Sequence, residues 1–133
     1  MTTITTQTPT KTSRLHLSLP AALLKLEAGA ILAAVLLLYA DGGFSPLAFI
    51  ALWLVPDLSA LGYLHSKRLG AWSYNLVHTY AAPLLLIGLA LSIDWTLGYQ
   101  FGLIWISHIA IDRLIGYGLK YADSFKKTHL QQL

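Results

Sequence analysis

Apolar residues in this chain do not follow the stripe of an amphipathic helix or the alternation of a half-buried strand. They run together in four blocks, 21–40, 46–64, 71–93 and 99–119. Short polar breaks separate them: Asp41-Gly42-Gly43, His65-Ser66-Lys67-Arg68 and Asp94-Trp95-Thr96. At ~1.5 Å rise per residue, a block of about 20 residues crosses a ~30 Å hydrocarbon core as an α-helix. The pattern predicts an all-α integral membrane bundle of four transmembrane helices. Ser45-Pro46 reads as a helix start. Pro56 and Pro83 lie inside blocks, where each frees the carbonyl one turn earlier, at Leu52 and Thr79, and kinks its helix. Gly29/Ala33 and Gly98/Gly102 are small-x3-small pairs that permit close helix approach.

The ends differ from the blocks. Residues 1–20 are a Thr-rich leader followed by an interfacial segment, too polar to offset the entropy of ordering. Residues 21–119 form the transmembrane domain. Residues 120–133 are expected as a cytoplasmic tail, a short amphipathic element with Tyr121, Phe125 and Leu130 on its apolar side. The first block is expected to be a retained span. Lys25 and Glu27 interrupt it, and Leu38 stands where a signal-peptide cut needs a small residue.

Composition sharpens the picture. The 133 residues are 56% hydrophobic and only 11% charged, against about 25% charged in soluble domains. Cysteine is absent, which removes disulfides, thiolate metal sites and iron–sulfur clusters. The net charge of +3 suits an anionic membrane surface and calls for no nucleic acid. Lys11, Arg14 and Lys25 flank the first block, Lys67 and Arg68 lie between the second and third, and Lys120, Lys126 and Lys127 follow the fourth. The other two loops carry Asp41 and Asp94 without lysine or arginine. The positive-inside rule therefore predicts both termini on the cytoplasmic side.

Candidate chemistry lies in the polar residues inside the blocks: Glu27, Asp57, Asn75, His78, His108, Asp112 and Arg113. Charge in hydrocarbon is costly and faces the bundle interior. Counted from the cytoplasmic ends at 1.5 Å per residue, Glu27 lies ~9 Å deep, Asp57, His78 and Asp112 ~11 Å, and His108 ~17 Å. Four helices thus place an acid or imidazole at similar depth, while the other half is apolar. His108 and Asp112, four apart, share one helix face, as do Asn75 and His78. Three acids and one arginine leave an excess of negative charge. Protonated acids, a cationic side chain or a divalent metal can each answer it. Carboxylates with imidazoles suit Zn, Mn or Fe. His78, His108 and Asp112 are the expected ligands, with Asp57 as fourth ligand or general base and Glu27 as an outer carboxylate or acid. Arg113 is expected to pair with an acid.

The strings VPDLSALGYL (55–64), YNLVHTYAAPLLL (74–86) and HIAIDRLIGYGLKYADSFKKTHL (108–130) resemble a family of small bacterial inner-membrane proteins, domain-of-unknown-function family 4260. The resemblance implies a four-span, multi-pass fold in the bacterial inner membrane and brings no activity with it. Its motif positions include Glu27, Pro56, Asp57, Asn75, His78, His108, Asp112, Arg113, Gly116, Tyr117, Lys120, Tyr121 and His129. Three functions stay open on the sequence. One is a metal-dependent hydrolase acting on a lipid-like substrate. Another is a non-catalytic accessory or assembly subunit, contacting a membrane-protein partner or a second copy, with the polar cluster as interhelical glue. The last is a bis-histidine haem protein using His78 and His108.

Overall fold

A computed structural model describes residues 18–121, 124–128 and 130, so the Thr-rich leader and His129 lie outside the described residues. The described chain is mostly helical. It comprises α1 (Leu19–Asp41), α2 (Pro46–Leu52), a 3-10 helix (Val55–Leu64), α3 (Lys67–Val77), α4 (Ala81–Ser92), α5 (Thr96–Ile115), β1 (Lys120–Tyr121) and β2 (Ser124–Thr128).

Local chemistry sets the boundaries. Ser18, Ser45 and Ser66 cap α1, α2 and α3, each hydroxyl accepting from the backbone amide three residues on, which satisfies one otherwise orphaned donor. At the far end of α5, Gly116 adopts φ 100, a left-handed conformation that suits glycine. The Tyr117 amide then returns to the Asp112 carbonyl at 2.7 Å.

Helix α5 is the axis of the bundle. Gly102, Leu103, Ile104 and Ile106–Ala110 are buried along it, and α1 and α4 pack against it. Ala21, Ala28 and Val35 of α1 are buried at seven-residue intervals, a seam suited to lengthwise packing. Gly102 marks the tightest approach to α4, because a Cβ there would collide with Ile87. Gly98 lies instead beneath the Trp95 ring, so the pair does not act as one contact motif. Val35, Tyr39, Leu103, Ile104 and Ile106 form the apolar core.

The outer surface is apolar. Leu37, Leu47, Ile50, Leu85 and Leu91 are among many large exposed side chains, far beyond what a water-facing surface carries contiguously. Among the described residues, two helical segments are long and apolar enough to cross a membrane, Leu19–Asp41 and Pro46–Leu64. The bent pair Lys67–Val77 and Ala81–Ser92 makes a third if counted as one span. Helix α5 is long enough but more polar, and its neighbours enclose it.

Three expectations change in detail. The second apolar block is no continuous α-helix: α2 ends before Pro56, and a ten-residue 3-10 helix follows. Pro56 has no amide to continue an α-ladder, and the Ser73 hydroxyl of α3 bonds the Ser59 carbonyl at 2.8 Å. The third block breaks at His78–Tyr80 with a bend of 44°. The described part of the C-terminal segment, expected only as a short amphipathic element, is an antiparallel β-ribbon with Lys120 paired to Thr128.

Candidate metal centre

Each irregularity in the helices delivers a polar side chain to one place. Repeating every three residues, the 3-10 helix buries Pro56 and half-buries Ser59 and Gly62, while Leu58, Leu61 and Leu64 are exposed. Asp57 falls between these two rows. His78 is the C-cap of α3, where the chain leaves the helix. His108 and Asp112 stand one turn apart on α5.

The geometry is tight. His78 Nε2 and His108 Nε2 are 3.2 Å apart. Asp57 Oδ1 lies 3.4 Å from the first and 3.5 Å from the second. Asp112 Oδ2 lies 3.8 Å from each. Zinc with ligands at about 2.0–2.1 Å in a tetrahedron spaces those ligands about 3.3 Å apart. Asp57, His78 and His108 therefore already stand at the edge lengths of a metal tetrahedron, and they form a group that can hold a metal ion. Asp112 stands slightly further off, beside the remaining position. Both histidines are buried, whereas Asp57 is 48% exposed, so the centre opens on the 3-10-helix side.

Surrounding contacts fix the ligands. His78 Nδ1 lies 3.0 Å from the Tyr74 carbonyl. A carbonyl only accepts, so Nδ1 carries the proton and neutral His78 presents a bare Nε2 toward the group. This is the outer-shell arrangement usual for a metal-ligating imidazole. Tyr74 also stacks on His78 at 3.7 Å between centroids and donates its hydroxyl to Asp112 at 3.4 Å. The Trp53 ring packs against His108 at 4.8 Å. His108 Nδ1 is buried and meets no hydrogen-bond partner among the described residues.

The helix break is satisfied from α5. Trp105 Nε1 donates to the Val77 carbonyl at 2.8 Å, and Arg113 donates to the His78 carbonyl at 3.1 Å. These bonds answer acceptors that an interrupted helix leaves behind. Arg113 thus braces the backbone of a candidate ligand, a role its expected pairing with an acid did not anticipate.

The C-terminal ribbon is tied to the same place. The Asn75 amide accepts from the Lys120 amide at 2.7 Å and donates to the Lys120 carbonyl at 2.8 Å. This puts the Lys120 ammonium 3.9 Å from the Tyr74 ring centroid, on the face that His78 leaves open. Burial lowers the Lys120 pKa, and Asp57 and then Asp112 oppose that shift.

Asp57, His78, His108 and Asp112 are brought together. Glu27 is not: it is exposed on α1 and lines a separate cavity with Arg113. Similar depth did not bring it to the centre. Sequence reasoning left out Tyr74, Trp53 and Trp105. Tyr74 was within reach, one helical turn before His78 and on the same face.

This architecture of apolar helices around a buried histidine–aspartate group defines a class, helical proteins with candidate membrane spans and a candidate metal centre. Residues 21–133 match the family model described as Domain of unknown function (DUF4260), and the chain belongs to that family. No curated protein and no solved structure matches it.

Proposed function

We propose that this protein is a four-span membrane protein with both termini in the cytoplasm. In this reading His78, His108 and Asp57 hold a divalent metal, zinc foremost and otherwise manganese or iron, and the centre hydrolyses a lipid-like substrate. The observation that carries the metal is the spacing of the three nearest groups: His78 Nε2, His108 Nε2 and Asp57 Oδ1 lie 3.2–3.5 Å from one another, the edge lengths of a tetrahedral zinc site.

The spacing disfavours haem. Asp57 Oδ1 lies within 3.4–3.5 Å of both imidazole nitrogens, in the space a porphyrin between them would occupy. The four-span topology is supported by the loop charges and by the enclosure of α5, which lets a more polar helix sit among apolar ones.

A metal at this site would lower the pKa of a bound water and polarise a carbonyl or phosphoryl oxygen. Asp112, held by the Tyr74 hydroxyl and slightly further from the histidines than Asp57, takes the proton of the attacking water. Asp57, on the open side, completes the ligand set. Glu27 has no part in the step. The test uses zinc-loaded protein in a neutral detergent with dioctanoyl phosphatidic acid and dioctanoylglycerol. The expected result is hydrolysis of at least one, stopped by chelator and restored by zinc. Asp112→Asn should lower it roughly 10²-fold or more. Turnover that survives chelation, or no turnover of either lipid, overturns the hydrolytic reading.

A further inference from the structure

Asp94, at the apolar end of the bundle, holds a backbone conformation that costs free energy. Helix α4 closes with the Trp95 amide returning to the Ala90 carbonyl at 2.8 Å, and Asp94 stands inside that turn at φ 53. This left-handed position usually goes to glycine. Among the described residues, no other non-glycine residue has a positive φ. The Asp94 carboxylate makes no hydrogen bond or ion pair among them that would offset the cost. Strain of this kind gathers at ligand sites.

A cavity of about 180 Å³ opens beside it, lined by Ala90, Leu91, Asp94, Trp95, Thr96 and Tyr99. Pockets for whole small molecules take ~300–1,000 Å³, so this one suits a headgroup fragment. Both aromatic walls are braced. The Trp95 ring lies against α5 at Gly98, where a Cβ would collide with it. The Tyr99 ring packs against Phe44 at 6.0 Å between centroids. Trp95 remains 45% exposed. Anchoring at the membrane interface accounts for a tryptophan and a tyrosine here, but not for an acid in the same recess.

Charge and chemistry narrow the occupant. The loops at this end carry Asp41 and Asp94 and no lysine or arginine, so an anion is repelled and a cation attracted. Calcium takes about 6–8 oxygen ligands, and Asp94 is the one carboxylate lining the recess. A primary ammonium brings three N–H donors that each need an acceptor. A quaternary ammonium brings none, and aromatic rings beside a single anion are the surroundings that stabilise it.

We propose that this recess binds a quaternary ammonium group, its charge held by Asp94 and its methyl groups against the Trp95 and Tyr99 rings. The group belongs to a lipid headgroup or to a soluble methylated amine; the recess reads the chemistry the two share. Asp94 precedes the start of α5, whereas His108 and Asp112 lie toward its far end. The site is therefore separate from the metal centre and needs no metal.

The experiment uses the full chain in a maltoside detergent with chelator present. Tetramethylammonium and methylammonium are titrated in turn while the indole N–H signal of Trp95 is followed by NMR. Tetramethylammonium is expected to shift that signal saturably, at a concentration at least about tenfold below methylammonium. Asp94→Asn removes the charge but tolerates the left-handed turn, and it should weaken tetramethylammonium binding at least about tenfold. Gly98→Ala leaves every lining residue in place and displaces the Trp95 ring, so it should weaken binding as well, with helical circular dichroism retained. Native mass spectrometry then identifies the source. Preferential retention of dioleoyl phosphatidylcholine over dioleoyl phosphatidylethanolamine assigns the group to a lipid, and equal retention assigns it to a soluble amine. No saturable shift, equal binding of methylammonium, or unchanged affinity in Asp94→Asn overturns the proposal. None of these results bears on whether the histidines bind metal.

Discussion

The two ends of the bundle solve the problem of a low-dielectric interior in opposite ways. At one end Val35, Tyr39, Leu103, Ile104 and Ile106 pack with Phe44, Phe49 and Tyr99 around them. Tyr39 meets Phe49 edge-on at 5.1 Å. The Tyr39 hydroxyl is satisfied at once, donating to the Ser45 carbonyl and accepting from Gln100. The helices there are regular. At the other end are a 3-10 helix, a broken helix and a left-handed helix cap, and there the polar side chains converge. A regular helix consumes its own carbonyls, so it needs little from its neighbours. A broken one frees acceptors, and Trp105 and Arg113 are needed to meet them. Irregular backbone is tolerated in an apolar interior where polar side chains answer it. Here that place is also the candidate metal centre.

If the ends have these separate duties, changes at each should affect different quantities. The largest effect on stability is expected from Leu103→Ala, which empties a nearly fully buried position in the apolar core. It should cost about 2–5 kcal/mol in reversible unfolding while zinc affinity stays within about twofold. A comparable fall in zinc affinity would show that the ends are not independent.

A smaller effect is expected from Tyr74→Phe at the polar end. It keeps the stack on His78 and removes only the hydroxyl that bonds Asp112. Outer-shell losses of this kind lower metal affinity roughly 10-fold or somewhat more. Titration calorimetry of the variant should show that loss with little change in unfolding free energy. Unchanged affinity would remove Tyr74 from the account of the centre.

Much of this division is legible in the residues. The long apolar blocks give the helices, and the depths of Asp57, His78, His108 and Asp112 lead to their convergence. Pro83 forewarns of the break before it. Depth is only one coordinate, however. Glu27 shares the expected depth of the others but lines another cavity, and a count along one helix does not give a residue's position relative to the neighbouring helices. The 3-10 path after Pro56 depends on contact with α3, notably Ser73 with Ser59, and block length cannot reveal it. The Asn75–Lys120 pairing joins residues far apart in sequence, so the sequence shows Asn75 only as a polar residue on the face of His78. Arg113 also donates to the His78 carbonyl, an acceptor that a count of charges along the sequence does not show.

The central claim is that His78, His108 and Asp57 are a metal site and not merely interhelical glue. The most direct test is elemental analysis of the chain, purified without a histidine tag, loaded with zinc and dialysed. The wild type is expected to retain about one zinc per chain, the stoichiometry of a single closed ligand set. The His78→Ala, His108→Ala double variant should retain almost none while still folding, as judged by its helical circular dichroism. A wild type that holds no more metal than the folded double variant would contradict the account, leaving the cluster as hydrogen-bonded glue.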